Sequence, residues 1–152
     1  VKETTVTAPS HGHITPVRVH FDELDPMGML HHSHYILLLD RAVSTYWNEQ
    51  GWDTDPAKSA FKEAILAVRD LSITYHVPIT GVSEPLVHFW LEKIGRSSAI
   101  YAFRVLSSDQ TIVHAEGRRV SVNIDPETLT SAPISAEARE AAMALLGAPA
   151  EA

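Results

Sequence analysis

The run from Ser33 to Gln50, SHYILLLDRAVSTYWNEQ, constrains the fold more than any other stretch. Tyr35, Ile36, Leu39, Ala42, Val43, Tyr46 and Trp47 recur at steps of three and four, which marks one face of a helix, and Gly51 is its stop. About eighteen residues rising ~1.5 Å each make a rod of roughly 27 Å, long enough to lie under a whole sheet. Leu37 and Leu38 widen the apolar stripe, so the helix is expected to be largely enclosed.

The rest of the chain reads mainly as strands. TPVRVHF (Thr15 to Phe21) sets Val17, Val19 and Phe21 against Arg18 and His20, the period-two pattern of a half-buried strand. GWDTDPAKSAFKE is a connector with a helical turn from Ala57 onward. AILAVRDLSITYHV (Ala64 to Val77) alternates through Leu71, Ile73, Tyr75 and Val77 and ends at Pro78 and Gly81. EPLVHFWLEKI and SSAIYAFRVL meet at Gly95-Arg96, a tight connection that suits antiparallel neighbours. In the last strand, Thr111 to Ile124, Val113 and Ala115 are apolar at odd positions but Val120, Val122 and Ile124 at even ones. A one-residue bulge near Gly117-Arg118 would reconcile the two halves. ISAEAREAAMALLG closes the chain as a short helix, with Ser135 as N-cap and Gly147 as stop.

One strand, a long helix and four antiparallel strands define an α+β class: a curved antiparallel sheet of about five strands wrapped around one central helix. The expected division is a loose arm over 1–14, one domain over 15–130, and a C-terminal helix and tail over 131–152. A chain of 152 residues fits one core. The net charge of -7 disfavours nucleic acid, which needs a clustered basic face. From Glu92 to Arg119 the balance reverses, with Lys93, Arg96, Arg104, Arg118 and Arg119 outnumbering Glu92, Asp109 and Glu116. Cysteine is absent, which excludes thiolate catalysis and Cys-type zinc sites. No apolar run approaches the about eighteen residues of a membrane span, and the first residues have no signal-peptide core, so a cytoplasmic protein is expected.

Between the first strand and the helix lies FDELDPMGMLHHSHY, Phe21 to Tyr35. Pro26 biases Asp25 away from helical geometry, and Gly28 permits a positive φ, so the loop can fold back on the helix it precedes. That helix begins near His32 or Ser33, where unpaired N–H groups and the positive dipole end favour negative charge. A carbonyl substrate held there would have N–H donors for a developing oxyanion and a nearby carboxylate to attack the carbon or deprotonate a water. A thioester suits this arrangement, since a thiol of pKa ~8.5 leaves without a strong general acid. LDPMG alone reads first as a turn, because Asp-Pro and Gly are ordinary turn residues.

FDELDPMGMLHHSHYILLLDRAVSTYW resembles the 4-hydroxybenzoyl-CoA thioesterase family, and the likeness continues in VRDLSITYHVPI, LEKIGRSSAIYAFRV and VHAEGRRVSVNID. The resemblance implies a hotdog fold, active sites at a dimer interface, and a homodimer or homotetramer. It implies Asp25 as the catalytic acid, as nucleophile or general base, with His32 assisting and a backbone N–H at the helix start polarising the thioester carbonyl. Gly28, Met29, Leu30, Ser33 and Tyr35 are the substrate-binding candidates. Arg96, Ser97 and Ser98 match a segment that tends to contact the CoA nucleotide, and Arg118 or Arg119 adds charge suited to phosphate; a solvated strand face is an equal reading of these arginines.

The chain departs from the family in GVSEP, where many members carry Gly-Asp. His31 and His34 flank His32, but no metal is expected, nor any cofactor, CoA being part of the substrate. Another branch of the fold carries its acid on the helix; Asp40 is read here as structural, pairing with Arg41 or a partner chain. The leading expectation is hydrolysis of an acyl-CoA to free acid and CoA. Release from an acyl-carrier protein and a non-catalytic acyl-CoA-binding module are the alternatives. The Gly-Asp-x-Asn-Pro-x-His pattern of hydratases is missing.

Overall fold

The computed structural model describes residues 11–63 and 65–147. Five antiparallel strands, β1 (His13–Pro16), β2 (Ile65–Tyr75), β3 (Leu86–Ile94), β4 (Ser98–Leu106) and β5 (Val113–Ile124), form one sheet in the order β1-β3-β4-β5-β2. Helix α1 (Tyr35–Glu49) lies on one face and α2 (Ala136–Ala142) follows β5. This is the curved sheet around a single helix that the resemblance implies. No helix among the described residues is long and apolar enough to cross a membrane.

The period of α1 becomes its buried face: Tyr35, Leu38, Leu39, Ala42, Val43 and Tyr46 are core, packed against Val87, Phe89 and Leu91 of β3 and Tyr101, Phe103 and Val105 of β4. Leu37, by contrast, is 38% exposed, so the helix is covered on one side rather than enclosed. Ser135 caps α2 as expected, accepting from the Ala138 N–H at 3.2 Å. Glu63, itself buried, then grips the Ser135 hydroxyl at 3.1 Å and ties the connector to α2. The connector turns near Ala57, where Lys58 N–H bonds to Asp55 O, without forming a helix.

Two strand expectations change. The first strand is His13–Pro16, not Thr15 to Phe21, so it reaches into the stretch read as a loose arm; residues 1–10 of that arm lie outside the described residues, as do 148–152 of the tail. Val17 and Val19 still point inward and bond to Pro85 O and Ser83 O, but Phe21 is 80% exposed because the chain has already turned into a 3-10 turn, Phe21–Glu23. In β5 no bulge occurs at Gly117-Arg118, where pairing with β2 and β4 is continuous; the irregularity falls at Leu106-Val113. Ala115, Arg119, Ser121 and Asn123 are all buried, so the strand keeps one phase and simply buries polar side chains in its second half. Asn123 uses its amide to hold Ala132 O and Pro133 O, each at 3.2 Å.

The connection from β2 to β3 braces the loop that precedes α1. It leaves the β2 edge and crosses the sheet, and residues 76–85 pass beside that loop: Leu30 N–H bonds to Ile79 O, Gly81 N–H to Gly28 O, and Met29 bridges Thr80.

Candidate active site

The loop between β1 and α1 closes on itself. Leu24 bridges Leu30, His31 N–H bonds to Glu23 O at 3.1 Å, and Asp25 N–H bonds to Met29 O at 2.7 Å. Gly28, at φ +75°, returns its N–H to Asp25 O at 2.9 Å. The Asp25 side chain is pinned inside this turn: Oδ1 accepts from Met27 N–H at 2.8 Å and Met29 N–H at 3.1 Å. Its second oxygen, Oδ2, has no partner among the described residues, and the residue is half-buried. One oxygen therefore fixes the rotamer while the other stays available.

At the start of the helix a 3-10 turn, His32–His34, precedes α1. His31 caps it, its Nδ1 accepting from Ser33 N–H at 3.2 Å and sharing a 2.7 Å bond with Ser33 Oγ. His34 N–H bonds to His31 O. The His32 N–H is left with no acceptor among the described residues, the orphan donor expected at a helix N-terminus. Tyr75 of β2 donates to His32 O at 2.9 Å and so orients this peptide.

Glu23 is the tie between loop and helix that sequence reasoning missed. It is 4% exposed and accepts from His20 N–H at 3.0 Å, from Arg41 Nη1 at 3.1 and 3.2 Å, and meets His34 Nδ1 at 3.1 Å. Burial pushes its pKa up, but the His20 N–H, Arg41 and His34 outweigh burial and hold the carboxyl below its ordinary value. Arg41 is thus the partner of Glu23 and not of Asp40, which pairs instead with Arg119 of β5.

The other candidates fall in different places. Met29 is half-buried beside Asp25, Leu30 is core, and Ser33 is exposed on the first helical turn. Tyr35 is 3% exposed; its hydroxyl accepts from Ile79 N–H at 3.2 Å, so it supports the site from beneath. The His32 ring is exposed and lies on His31, centroids 4.3 Å apart; it makes no hydrogen bond to Asp25 among the described residues. No group of three His, Asp or Glu among the described residues converges closely enough to hold a metal ion.

Arg96, Ser97 and Ser98 form the β3–β4 turn, at the opposite end of β3 from the Asp25 loop. Nine residues of strand at ~3.3 Å each separate them by roughly 30 Å within one chain. Arg118 is exposed and spends its guanidinium on Glu92 at 3.0 and 3.1 Å.

Residues 19–142 match the thioesterase-like superfamily. No curated protein sequence matches the chain. Among solved structures, the PA5185 protein of Pseudomonas aeruginosa is 25% identical, with a TM-score of 0.79 over 90% of this chain and 92% of that one. A thioesterase from Thermus thermophilus, solved with coenzyme A and Zn, is 26% identical, with a TM-score of 0.71 over 90% of this chain and 95% of its own. The DHNA-CoA thioesterase of Staphylococcus aureus, 23% identical over 79% of this chain and 78% of its own, shares the fold with a TM-score of 0.68. With an anion-holding turn, an orphan helix N–H and a family match spanning both, the chain belongs to the thioesterase-like superfamily.

Proposed function

We propose that this chain hydrolyses an acyl-CoA thioester to the free acid and CoA, with Asp25 as the attacking or water-activating carboxylate. The observation that carries the reading is the pairing, in one loop-helix junction, of an oriented carboxylate with an unused oxygen and a helix-start N–H without an acceptor among the described residues. In the nucleophilic route Asp25 Oδ2 bonds to the acyl carbon, the carbonyl oxygen takes the negative charge against the His32 N–H, and the C–S bond breaks to expel CoA thiolate. Water then cleaves the mixed anhydride, releasing the acid and restoring Asp25. In the base route Asp25 takes a proton from water as that water attacks the same carbon. Either way water and thioester become acid and thiol, and no general acid is required for a leaving group of pKa ~8.5.

A second copy completes this site. On the face of the sheet that carries α1, β2 places Leu66, Val68, Leu71 and Tyr75, each between 43% and 56% exposed, along an edge paired only to β5 among the described residues. Antiparallel pairing of β2 with its own copy sets the Tyr75 end of one chain beside the Ile65 end of the other. The Tyr75 end adjoins His32, and the Ile65 end leads across β5 to Ser98. The Arg96–Ser98 turn of one protomer then approaches the Asp25 loop of its partner, where a CoA nucleotide reaches both. Arg118, held by an exposed ion pair worth only about 0–1 kcal/mol, exchanges Glu92 for phosphate at little cost.

The test is thiol release from a panel of aromatic, short-chain and medium-chain acyl-CoAs by wild type, Asp25→Asn, Asp25→Ala and His32→Ala. Asp25 variants are expected to lose at least 100-fold in kcat and His32→Ala less, because its backbone donor survives. Single turnover in heavy-oxygen water tests the nucleophilic route: label in the Asp25 carboxylate arises only when water opens an anhydride at the Asp25 carbon. Full activity in both Asp25 variants removes the site assignment, and no release from any substrate leaves an acyl-CoA-binding module.

A further inference from the structure

Arg119 occupies an unusual position. It is 7% exposed and lies on the inner face of β5, where an apolar side chain would ordinarily sit. It lines a cavity of about 350 Å³ between α1, the sheet and α2, within the ~300–1,000 Å³ of small-molecule sites. The walls are mainly apolar: Trp47, Trp52, Phe61, Leu91 and Ala138 are among them, with Trp47 and Phe61 edge to face at 5.5 Å. Neither Asp25 nor His32 lines it.

The guanidinium is poorly spent for a buried charge. Its Nη1 meets one oxygen of Asp40, it stands 5.5 Å from the Tyr101 ring centre, and its Nε has no hydrogen-bond partner among the described residues. A buried arginine held only for structure is normally saturated, bidentate and packed without an adjoining void. Tyr101, 2% exposed, also lines the cavity; its hydroxyl accepts from Trp47 Nε1 at 2.8 Å and finds no acceptor for its own proton among the described residues. Glu63 also lines the cavity, but its two oxygens are taken by the Ser135 N–H and hydroxyl, so the polar capacity left over is that of the Arg119 and Tyr101 donors. The anion paired with Arg119 is Asp40, which also lines the cavity and whose side chain is 53% exposed.

From this arrangement we infer that the cavity is a binding site for an amphipathic monocarboxylic acid, its apolar body among Trp47, Trp52 and Phe61 and its carboxylate on Arg119. Asp40 acts as an internal stand-in for the ligand headgroup. When the acid enters, one carboxylate replaces another on Arg119 and Asp40 turns into water, which costs little for a group already half-solvated. The tail supplies the net attraction by leaving water. This inference does not rest on the thioesterase reading.

The experiment is a titration of the full chain with octanoate, read by tryptophan fluorescence and calorimetry, with 1-octanol as the uncharged control. Saturable binding is expected, with octanol at least tenfold weaker. Arg119→Gln is expected to weaken octanoate at least tenfold, and Ala138→Trp, which fills the cavity from α2, to abolish binding. Asp40→Asn is expected to tighten binding several-fold, because it removes the competing anion, an effect that a merely structural ion pair does not produce. Asp25→Asn is expected to bind octanoate as wild type does, so loss of thiol release and loss of acid binding are separable. No saturable binding, equal affinity for acid and alcohol, binding that survives Ala138→Trp, or weaker binding in Asp40→Asn each overturns the inference. Should Arg119→Gln fail to fold by circular dichroism, the Asp40 and Ala138 variants decide it.

Discussion

Replacing Glu23 tests whether the loop that carries Asp25 is held by a buried carboxylate. In Glu23→Gln the side chain keeps its shape but loses its charge, so the bonds to Arg41 and His34 become neutral or fail. Hydrogen bonds to charged groups contribute about 1.5–3 kcal/mol, and breaking a fully buried pair costs about 3–5 kcal/mol. The buried partner here is Glu23 at 4% exposure, whereas Arg41 is 42% exposed and regains water when released, which moves the expected loss to the lower range, about 2 kcal/mol. With a urea slope of about 1–3 kcal/mol per molar, the unfolding midpoint falls by roughly 1 M.

The pH dependence supplies an independent check. Because the folded carboxyl titrates below its unfolded value of 4.5, its contribution is complete above about that pH and is lost as pH falls through the lower folded pKa. Wild type therefore loses stability on acidification below about pH 4.5 in a way that Glu23→Gln does not reproduce. Urea midpoints from pH 7 to pH 3, with kcat at pH 7, measure both. An unfolding free energy within about 0.3 kcal/mol of wild type, or an identical acid limb in the two proteins, refutes the reasoning.

Gly117→Ala is expected to cost about 3 kcal/mol, because its Cβ would sit 2.0 Å from the backbone oxygen of Ser72 on the paired strand β2, which must shift to admit it; urea unfolding within about 1 kcal/mol of wild type contradicts the strand packing. Leu71→Lys, at a side chain 43% exposed, is expected to change folding stability by no more than about 0.5 kcal/mol yet to shift sedimentation from dimer to monomer and raise KM for acyl-CoA. An active wild-type monomer counts against the shared site. Tyr75→Phe removes the bond to His32 O and is expected to lower kcat more than it lowers stability, which changes by about 1 kcal/mol; unchanged kcat indicates that the His32 peptide is oriented without it.

How far the fold was legible depends on whether a residue answers to its near neighbours or to distant ones. Helix α1 was legible because six buried side chains repeat at helical spacing, and the Asp25 turn because Pro26 restricts the backbone before it and Gly28 admits the positive φ that closes it. Glu23 and Arg41 meet across eighteen positions, a relation that no periodicity encodes. The second half of β5 misled for a different reason. Reading Val120, Val122 and Ile124 as the inward set demanded a bulge, whereas Arg119, Ser121 and Asn123 are the buried row. At least two of those polar residues are buried because they have work there: Asn123 holds the segment leading to α2 and Arg119 faces the cavity. A rule that equates apolar with inside fails where the interior contains a chamber.

The exposed edge of β2 joins function to solubility. An eleven-residue edge strand whose helix-side face carries exposed Leu66, Val68, Leu71 and Tyr75 is a template for uncontrolled pairing. Natural edges are usually blunted by a bulge, a proline or inward charge. β2 has one register shift, between Val68 and Asp70, and there Arg69 and Asp70 interrupt the apolar row. A charged pair of opposite sign at mid-strand disfavours arbitrary registers but suits a twofold one, since an antiparallel copy centred there sets Arg69 of each chain near Asp70 of the other. The feature that limits promiscuous pairing thus favours the same register as the proposed dimer, in which Asp25 of one chain would face the Arg96–Ser98 turn of the other.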